Sequence, residues 1–343
     1  MKNQAGAILM AYEPWAQAFA IQRQTVQRFH QTCATVLGDS CPLNPLQPEQ
    51  LSLQRNLFST LFIMATKAAG VALDVLPLYA MINQCLRVQV TGCDNLLDDE
   101  YKSVIPFSLS GSGTRFRSVL TIMTGDTVLA NLILEEVASG RMNLVNAQQL
   151  LAASLAVLIP SGIEEHEEES SIKEPVPPVE IILQQVHPRK TGLLFEAPIR
   201  LVGKMQIADL SRSQHISEAL SKFGVGCQIL DDLKDVADDL YHRKYNIVIS
   251  QAWHGNNEAE KQQIAAFLQS DETYEQAKDI AARLTTAHQQ DSLNYAGQYF
   301  HQAAQIFCQY FPDFKTLQAS ALGSLVQNSI MSERNTTEIR VMP

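Results

Sequence analysis

Apolar residues recur at helical spacing in one segment after another, for example Leu57, Leu61, Phe62 and Met64, then Leu151, Leu155 and Leu158, then Ala277, Ile280, Ala281 and Leu284. Positions three and four apart share one face of a helix, so each set predicts a stripe turned toward a core. Period-two alternation, which would mark half-buried strands, is hard to find. Helical stretches of about twenty or more residues, mostly without internal proline, predict an all-α bundle of about ten to a dozen helices rather than an α/β enzyme.

Two segments break the pattern. Residues 38–50 (GDSCPLNPLQPEQ) form a proline-punctuated connection, and residues 160–178 (PSGIEEHEEESSIKEPVPP) an acidic, proline-rich stretch that reads as a solvated surface loop. The expected organisation is an N-terminal extension and linker over 1–50, a helical domain over 51–331 and a polar, aperiodic tail over 332–343.

The formal net charge of -10 argues against a general grip on nucleic acid or on an anionic membrane surface, where a basic excess supplies the affinity. No stretch approaches the ~20 uninterrupted apolar residues needed for stable membrane insertion. The N-terminal run MKNQAGAILMAYEPW is soon interrupted by a glutamate and a proline, unlike a signal peptide. Six scattered cysteines, without a CxxC pair or a Cys/His cluster, fit a reducing cytoplasm rather than a zinc site or a disulfide framework.

The chemistry lies in two acidic clusters. The first runs Asp94-Asn95-Leu96-Leu97-Asp98-Asp99-Glu100, and the second is Gln228-Ile229-Leu230-Asp231-Asp232-Leu233-Lys234-Asp235. On helices, Asp94 with Asp98 and Asp231 with Asp235 would each share a face. Like charges at that spacing repel, so the arrangement has a cost that a cation or a buried lysine offsets. Magnesium suits the role, because it takes oxygen ligands and is commonly held by one or two carboxylates plus phosphate oxygens. The first run taken singly is equally at home as an exposed helix face, and the second less so.

The surroundings carry a resemblance. FGVGCQILDDLKDVADDL resembles the second aspartate-rich motif of the polyprenyl synthetase family, with Gln228, Asp231, Asp232 and Asp235 at matching positions. Lys190-Thr191-Gly192-Leu193-Leu194-Phe195 is similar to that family's KTG/KTA motif, Lys244 to a lysine that follows the second cluster, and Gly125-Asp126 to its GD-x-L-L helix. The landmarks fall in family order over residues 55–260. The resemblance implies the isoprenoid synthase fold, a helical bundle around a central cavity. It also implies that Asp94 and Asp98 hold two magnesium ions and that Asp231 and Asp235 hold a third, with Asp232 in the catalytic cluster. Lys190, Lys244 and Gln228 would address the diphosphate of a prenyl substrate, and the family habit of pairing implies a homodimer.

The chain departs from the family's elongating members. Around Arg55 it reads SLQRNLFSTLF where a GGKxxRP motif is expected, and no arginine pair directly follows the first cluster. Gly111-Ser112-Gly113-Thr114-Arg115-Phe116-Arg117 resembles a Gly-Gly-Lys-Arg-x-Arg string displaced past the aspartates, which makes Arg115 and Arg117 candidates for diphosphate contacts or a solvated pair. The first motif is DNxxD, in which Asn95 offers an amide oxygen. Without arginines for a second diphosphate, the first expectation is a terpene-synthase-like enzyme that ionises an allylic prenyl diphosphate and then cyclises or eliminates. The alternatives are a prenyltransferase and an inactive partner subunit. Arg87, Gln89, Val90 and Gly92, just before the first cluster, are where the family sets substrate length, and Gly92 would leave room for a long chain.

Overall fold

The computed structural model describes residues 2–97, 101–111, 113–170, 176–269, 273–311, 314 and 316–332. Helices dominate, and among the described residues the single β contact is an isolated antiparallel bridge between Leu43 and Phe107. The chain forms two compact units.

One unit comprises residues 9–156 and 198–213. The end of α1 (Lys2–Met10) leads into α2 (Glu13–Leu37), α3 (Leu57–Ala68), α4 (Leu76–Leu97), α5 (Thr114–Ala138) and α6 (Leu144–Ala156). The stretch Glu13–Leu37 of the expected N-terminal extension is not loose. Trp15, Ala18, Gln22, Thr25, Val26, Phe29 and Cys33 form the buried stripe of α2, which packs on α3, α4 and α5. Two polar residues interrupt that stripe, which hid it from an apolar count. The buried Gln22 satisfies itself by donating Nε2 to Asn56 Oδ1 (3.2 Å) and Gln84 Oε1 (3.1 Å), joining α2 to α3 and α4.

The proline-rich connection is also pinned. Asn44 N donates to Pro106 O and Ser108 N to Pro42 O, both at 2.8 Å, so it lies along the loop that follows the first acidic cluster. In α6 the period is helical but the buried face is not the expected one. Ala147, Leu150, Ala153 and Ser154 are inside, while Leu151 and Leu155 are exposed, because the inward stripe at three- and four-residue spacing runs through Ala147, Leu150 and Ser154. Two runs, Thr114–Ala138 and Leu144–Glu167, are long and apolar enough to cross a membrane by length and composition alone.

The other unit comprises residues 1–8, 157–197 and 214–343. It contains α7 (Ile159–Ser170), the short α8 (Val179–Ile181), the start of α9 (Leu193–Lys204), most of α10 (Leu210–Tyr241), α11 (Ile247–His254), α12 (Glu258–Leu268), α13 (Tyr274–Tyr310) and α14 (Thr316–Ser332). Helix α7 overturns the loop reading of residues 160–170. Pro160 stands in its first turn, where a missing N–H costs little, and no other proline falls within it. The expected tail beyond Ser332 lies outside the described residues. Between α8 and α9 the chain is π-helical over Ile182–Val186 and Pro188–Gly192, a wider winding that accommodates Pro188 inside a helical run. The core of this unit includes Ile182, Ile216, Leu220, Ile229, Leu233, Val236, Val248, Leu284 and Phe307.

Candidate functional site

Asp94 stands exposed on the last turn of α4, and its expected partner Asp98 lies outside the described residues. Asn95 turns the other way. It is 4% exposed, its Oδ1 accepts from Lys102 N (2.8 Å) and its Nδ2 donates to Lys102 O (3.1 Å). Its amide therefore fastens the following loop to α4 instead of offering an oxygen to a cation.

Gly92 does not open a cavity either. A Cβ there would sit 2.6 Å from Ile122 Cγ1 and 3.1 Å from Ser118 O, so this position exists to let α5 cross α4 closely. Gln89 reaches Asp126 of α5 at 3.4 Å, and Arg87 donates to the Arg55 carbonyl at 2.9 Å.

Arg117 folds its own loop. Its Nη2 donates to Leu109 O (2.6 Å) and Gly111 O (2.8 Å), and its guanidinium lies 5.8 Å from the centre of the Tyr101 ring. Arg115 is exposed on the first turn of α5.

The second cluster lies on α10. Asp231 and Asp235 flank Lys234, whose Nζ is 3.6 Å from Asp231 Oδ1 and 3.2 Å from Asp235 Oδ2. Asp235 also marks a break in α10, with φ -105° and ψ 17°. Burial, then the charge of Asp231, raise the Asp235 carboxyl to about 7 despite Lys234. Among the described residues no three His, Cys, Asp or Glu side chains converge as a ready metal site; Asp231 and Asp235 stand as a pair.

Asp232 plays a different part from its neighbours. It is 1% exposed and falls on the inward stripe of α10 with Ile229, Leu233 and Val236. Oδ1 accepts from Gln228 Nε2 (3.0 Å), while Oδ2 accepts from Ile247 N (2.8 Å) and His187 Nε2 (3.1 Å). Burial alone would raise this carboxyl, but His187, Gln228 and the Ile247 amide outweigh it and hold it below its ordinary value. An ionised carboxylate only accepts, so His187 donates to it from Nε2. Both Asp232 oxygens are thus committed to tying α10 to the π-helical segment and to the start of α11.

Asn246 completes this hub. It caps α11 through Val248 N (2.8 Å) and donates Nδ2 to Asp232 O and Asp239 Oδ2, each at 2.8 Å. Burial first, then Asp232, hold the Asp239 carboxyl well above its ordinary value, with Asn246 and Lys190 opposing.

The KTG segment is docked on the same helix. Thr191 Oγ1 donates to Gln228 Oε1, so the Gln228 amide is occupied on both sides, by Thr191 and by Asp232. Gly224 of α10 lies where Thr191 O and the Phe195 ring approach closest; a Cβ there would meet that carbonyl oxygen at 2.9 Å. Lys190 Nζ is 3.2 Å from Glu165 Oε1 on α7. Lys244 follows α10 in a turn closed by its own N–H to Asp239 O (2.8 Å), after Arg243 at φ 57°. It lines a cleft of about 20 Å³ with Asp239, Arg243, Tyr245 and Asn246.

Asp231, Asp232, Asp235, Lys190, Gln228 and Lys244 therefore belong to one unit, and Asp94, Arg115 and Arg117 to the other. Sequence reasoning missed His187, Asn246 and Glu165, and gave Thr191 no role beyond its place in the KTG segment. Asn246 had a signal, a capping residue directly before the apolar run Ile247-Val248-Ile249. His187 had none.

Solved structures of similar fold cover nearly the whole chain. A decaprenyl diphosphate synthase from Rhodobacter capsulatus matches at TM-score 0.63 and 18% identity, over 94% of this chain and 99% of that one. A polyprenyl synthase from Caulobacter crescentus, complexed with calcium and isoprenyl diphosphate, matches at 0.63 and 14%, over 93% and 97%. A geranylgeranyl pyrophosphate synthase from Corynebacterium glutamicum, complexed with isoprenyl diphosphate and magnesium, matches at 0.59 and 12%, over 92% and 98%. The chain thus has a polyprenyl synthetase-like, all-α isoprenoid synthase fold. No family model matches the sequence, and no curated protein matches it.

Proposed function

We propose that this chain is a magnesium-dependent enzyme that ionises an allylic prenyl diphosphate and transfers the prenyl group to an acceptor. The observation that carries the reading is the Asp231–Asp235 pair, with one carboxyl raised to about 7 by burial and its like-charged neighbour, on the helix that also docks the Lys190 segment. Repulsion of that kind is what a divalent cation relieves, and the hard oxygen donor set fits magnesium. The calcium and magnesium complexes of the similar structures favour the same metal class.

In this reading magnesium, about three ions in all, would be held by Asp231 and Asp235 on one unit and, as the family resemblance implies, by Asp94 and Asp98 on the other. Bound magnesium would stabilise charge on the leaving group as the allylic C–O bond breaks. Lys190 and Lys244 pair with diphosphate oxygens and orient the leaving group. Asp232, Gln228 and His187 position rather than ligate, because their polar atoms facing the hub are spent on one another. The allylic cation that remains is captured by an acceptor double bond, which then loses a proton.

The similar structures are prenyl diphosphate synthases, so prenyl transfer is better supported than the cyclisation expected from sequence. One observation keeps a second reading. Arg117 is bonded to two loop carbonyls and Arg87 to that of Arg55, which favours an acceptor without a diphosphate, or internal capture by cyclisation or elimination.

We further infer a homodimer in the cytoplasm. Phe116, Val119, Met123 and Leu134 of α5, with Leu144, Val145, Leu151 and Leu155 of α6, are large exposed apolar side chains on two adjoining helices, which suits self-association. Six free cysteines suit a reducing compartment.

The test is incubation of the purified chain with magnesium and prenyl diphosphates of several lengths, with and without isopentenyl diphosphate. A longer diphosphate only when isopentenyl diphosphate is present supports elongation, and a hydrocarbon or alcohol without it supports the second reading. No release of diphosphate under any condition would return the inactive-subunit alternative.

A further inference from the structure

Lys190, which the proposed function assigns to the substrate diphosphate, already holds a carboxylate. Its Nζ lies 3.2 Å from Glu165 Oε1, with the two side chains 18% and 31% exposed. The contact is built at two points. Ser161, four residues before Glu165 and therefore on the same face of α7, is 8% exposed and donates Oγ to the Lys190 carbonyl at 2.8 Å. Helix α7 thus grips Lys190 by backbone and side chain together, and it packs along the Pro188–Gly192 segment.

An anion that reaches Lys190 must exchange with Glu165 or share the ammonium with it. Exchange with a singly charged ligand gains little, because one carboxylate replaces another of similar charge. A metal-bound diphosphate brings more charge and more acceptor oxygens, and so can displace Glu165.

We propose that Glu165 is a specificity-determining residue: it occupies Lys190 in the ligand-free chain and so selects a diphosphate over a monophosphate or a carboxylate. The proposal rests on the reading of Lys190 as a diphosphate partner. Glu165 itself touches neither metal nor substrate; it acts through Lys190.

The experiment compares the full chain with E165Q, which keeps the shape but removes the charge, and with E167Q, an equal charge change on an exposed residue of the same helix. Binding of inorganic pyrophosphate and of inorganic phosphate, each with magnesium, is measured by calorimetry. Acetylation of Lys190 by acetic anhydride is followed by peptide mass spectrometry. E165Q should bind pyrophosphate about fivefold tighter, gain proportionally more for phosphate, and acetylate several-fold faster at Lys190. E167Q should match the wild type.

Unchanged Lys190 acetylation in E165Q overturns the pairing, and unchanged or weaker pyrophosphate binding overturns the selectivity. Equal gains in E165Q and E167Q would reduce the effect to net charge and likewise overturn it. If acetylation rises but neither wild type nor E165Q binds pyrophosphate, the diphosphate reading of Lys190 is wrong, and this proposal falls with it.

Discussion

Gly224→Ala separates the docking of the Lys190 segment from its chemistry, because the change touches no charged or metal-binding group. The added Cβ would stand 2.9 Å from Thr191 O and 3.0 Å from Phe195 Cγ, where ordinary contact begins at 3.4 Å. A backbone carbonyl cannot rotate aside, so the segment must retreat by about 0.5 Å, the difference between those two distances. Overpacking of this kind costs about 1–3 kcal/mol, and replacing a helical glycine with alanine returns about 1 kcal/mol, leaving a net loss of about 0–2 kcal/mol. Function should suffer more than stability. A misplacement of about 1 Å at a reactive centre costs about a hundredfold, so half of it predicts about a tenfold loss in pyrophosphate affinity or turnover. Thermal unfolding and magnesium–pyrophosphate titration read the two effects separately. Gly297→Ala is the control: no atom lies within 4 Å of its added Cβ, so it should gain about 0.5–1 kcal/mol and leave affinity unchanged. A Gly224→Ala protein that binds within about twofold of wild type would refute the docking argument.

Three further outcomes follow from the same contacts. Asp235 has a folded value raised from 3.8 to about 7, so in that window the folded chain holds a proton that the unfolded chain has lost, and metal-free stability should fall as pH rises through it. Thermal melts in a chelator at a series of pH values should show that slope in wild type and a flatter one in Asp235→Asn; equal slopes would contradict the assignment. His187→Leu removes one of the three hydrogen bonds to the buried Asp232 carboxylate, for a loss of about 2–4 kcal/mol in chemical denaturation, and a loss below about 1 kcal/mol would show that the pair is not a fastening point. Phe116→Glu with Met123→Glu should convert a dimer to a monomer in light scattering; an unchanged dimer mass would place the interface elsewhere.

Much of the fold was legible because its helices carry regular stripes. Leu57, Leu61 and Met64 are buried in α3, and Ala277, Ile280, Ala281 and Leu284 in α13, as their spacing predicts. The pattern failed where polar groups or small residues do the packing. Gln22 and Thr25 disguised the buried face of α2, and in α6 Ala147, Ala153 and Ser154 share the buried face with Leu150 while Leu151 and Leu155 point outward. Acidic composition concealed α7, because charge alone does not break a helix when no proline interrupts it. Within the candidate site the residue types were visible but not their directions. Asp232 looked like one more carboxylate of the second cluster, although it continues the stripe of Ile229 and Val236, a cue that periodicity alone contains. The partner of Lys190 was not legible, since Glu165 is distant in sequence and reaches the lysine only through helix packing.

The most direct test is magnesium-dependent release of inorganic diphosphate from an allylic prenyl diphosphate, comparing wild type with Asp231→Ala/Asp235→Ala and Asp94→Ala/Asp98→Ala. Release should require magnesium and be lost by at least about a hundredfold in either double variant, while circular dichroism shows the helical fold retained. Release at the wild-type rate from a folded double variant, or undiminished release in a chelator, would contradict it.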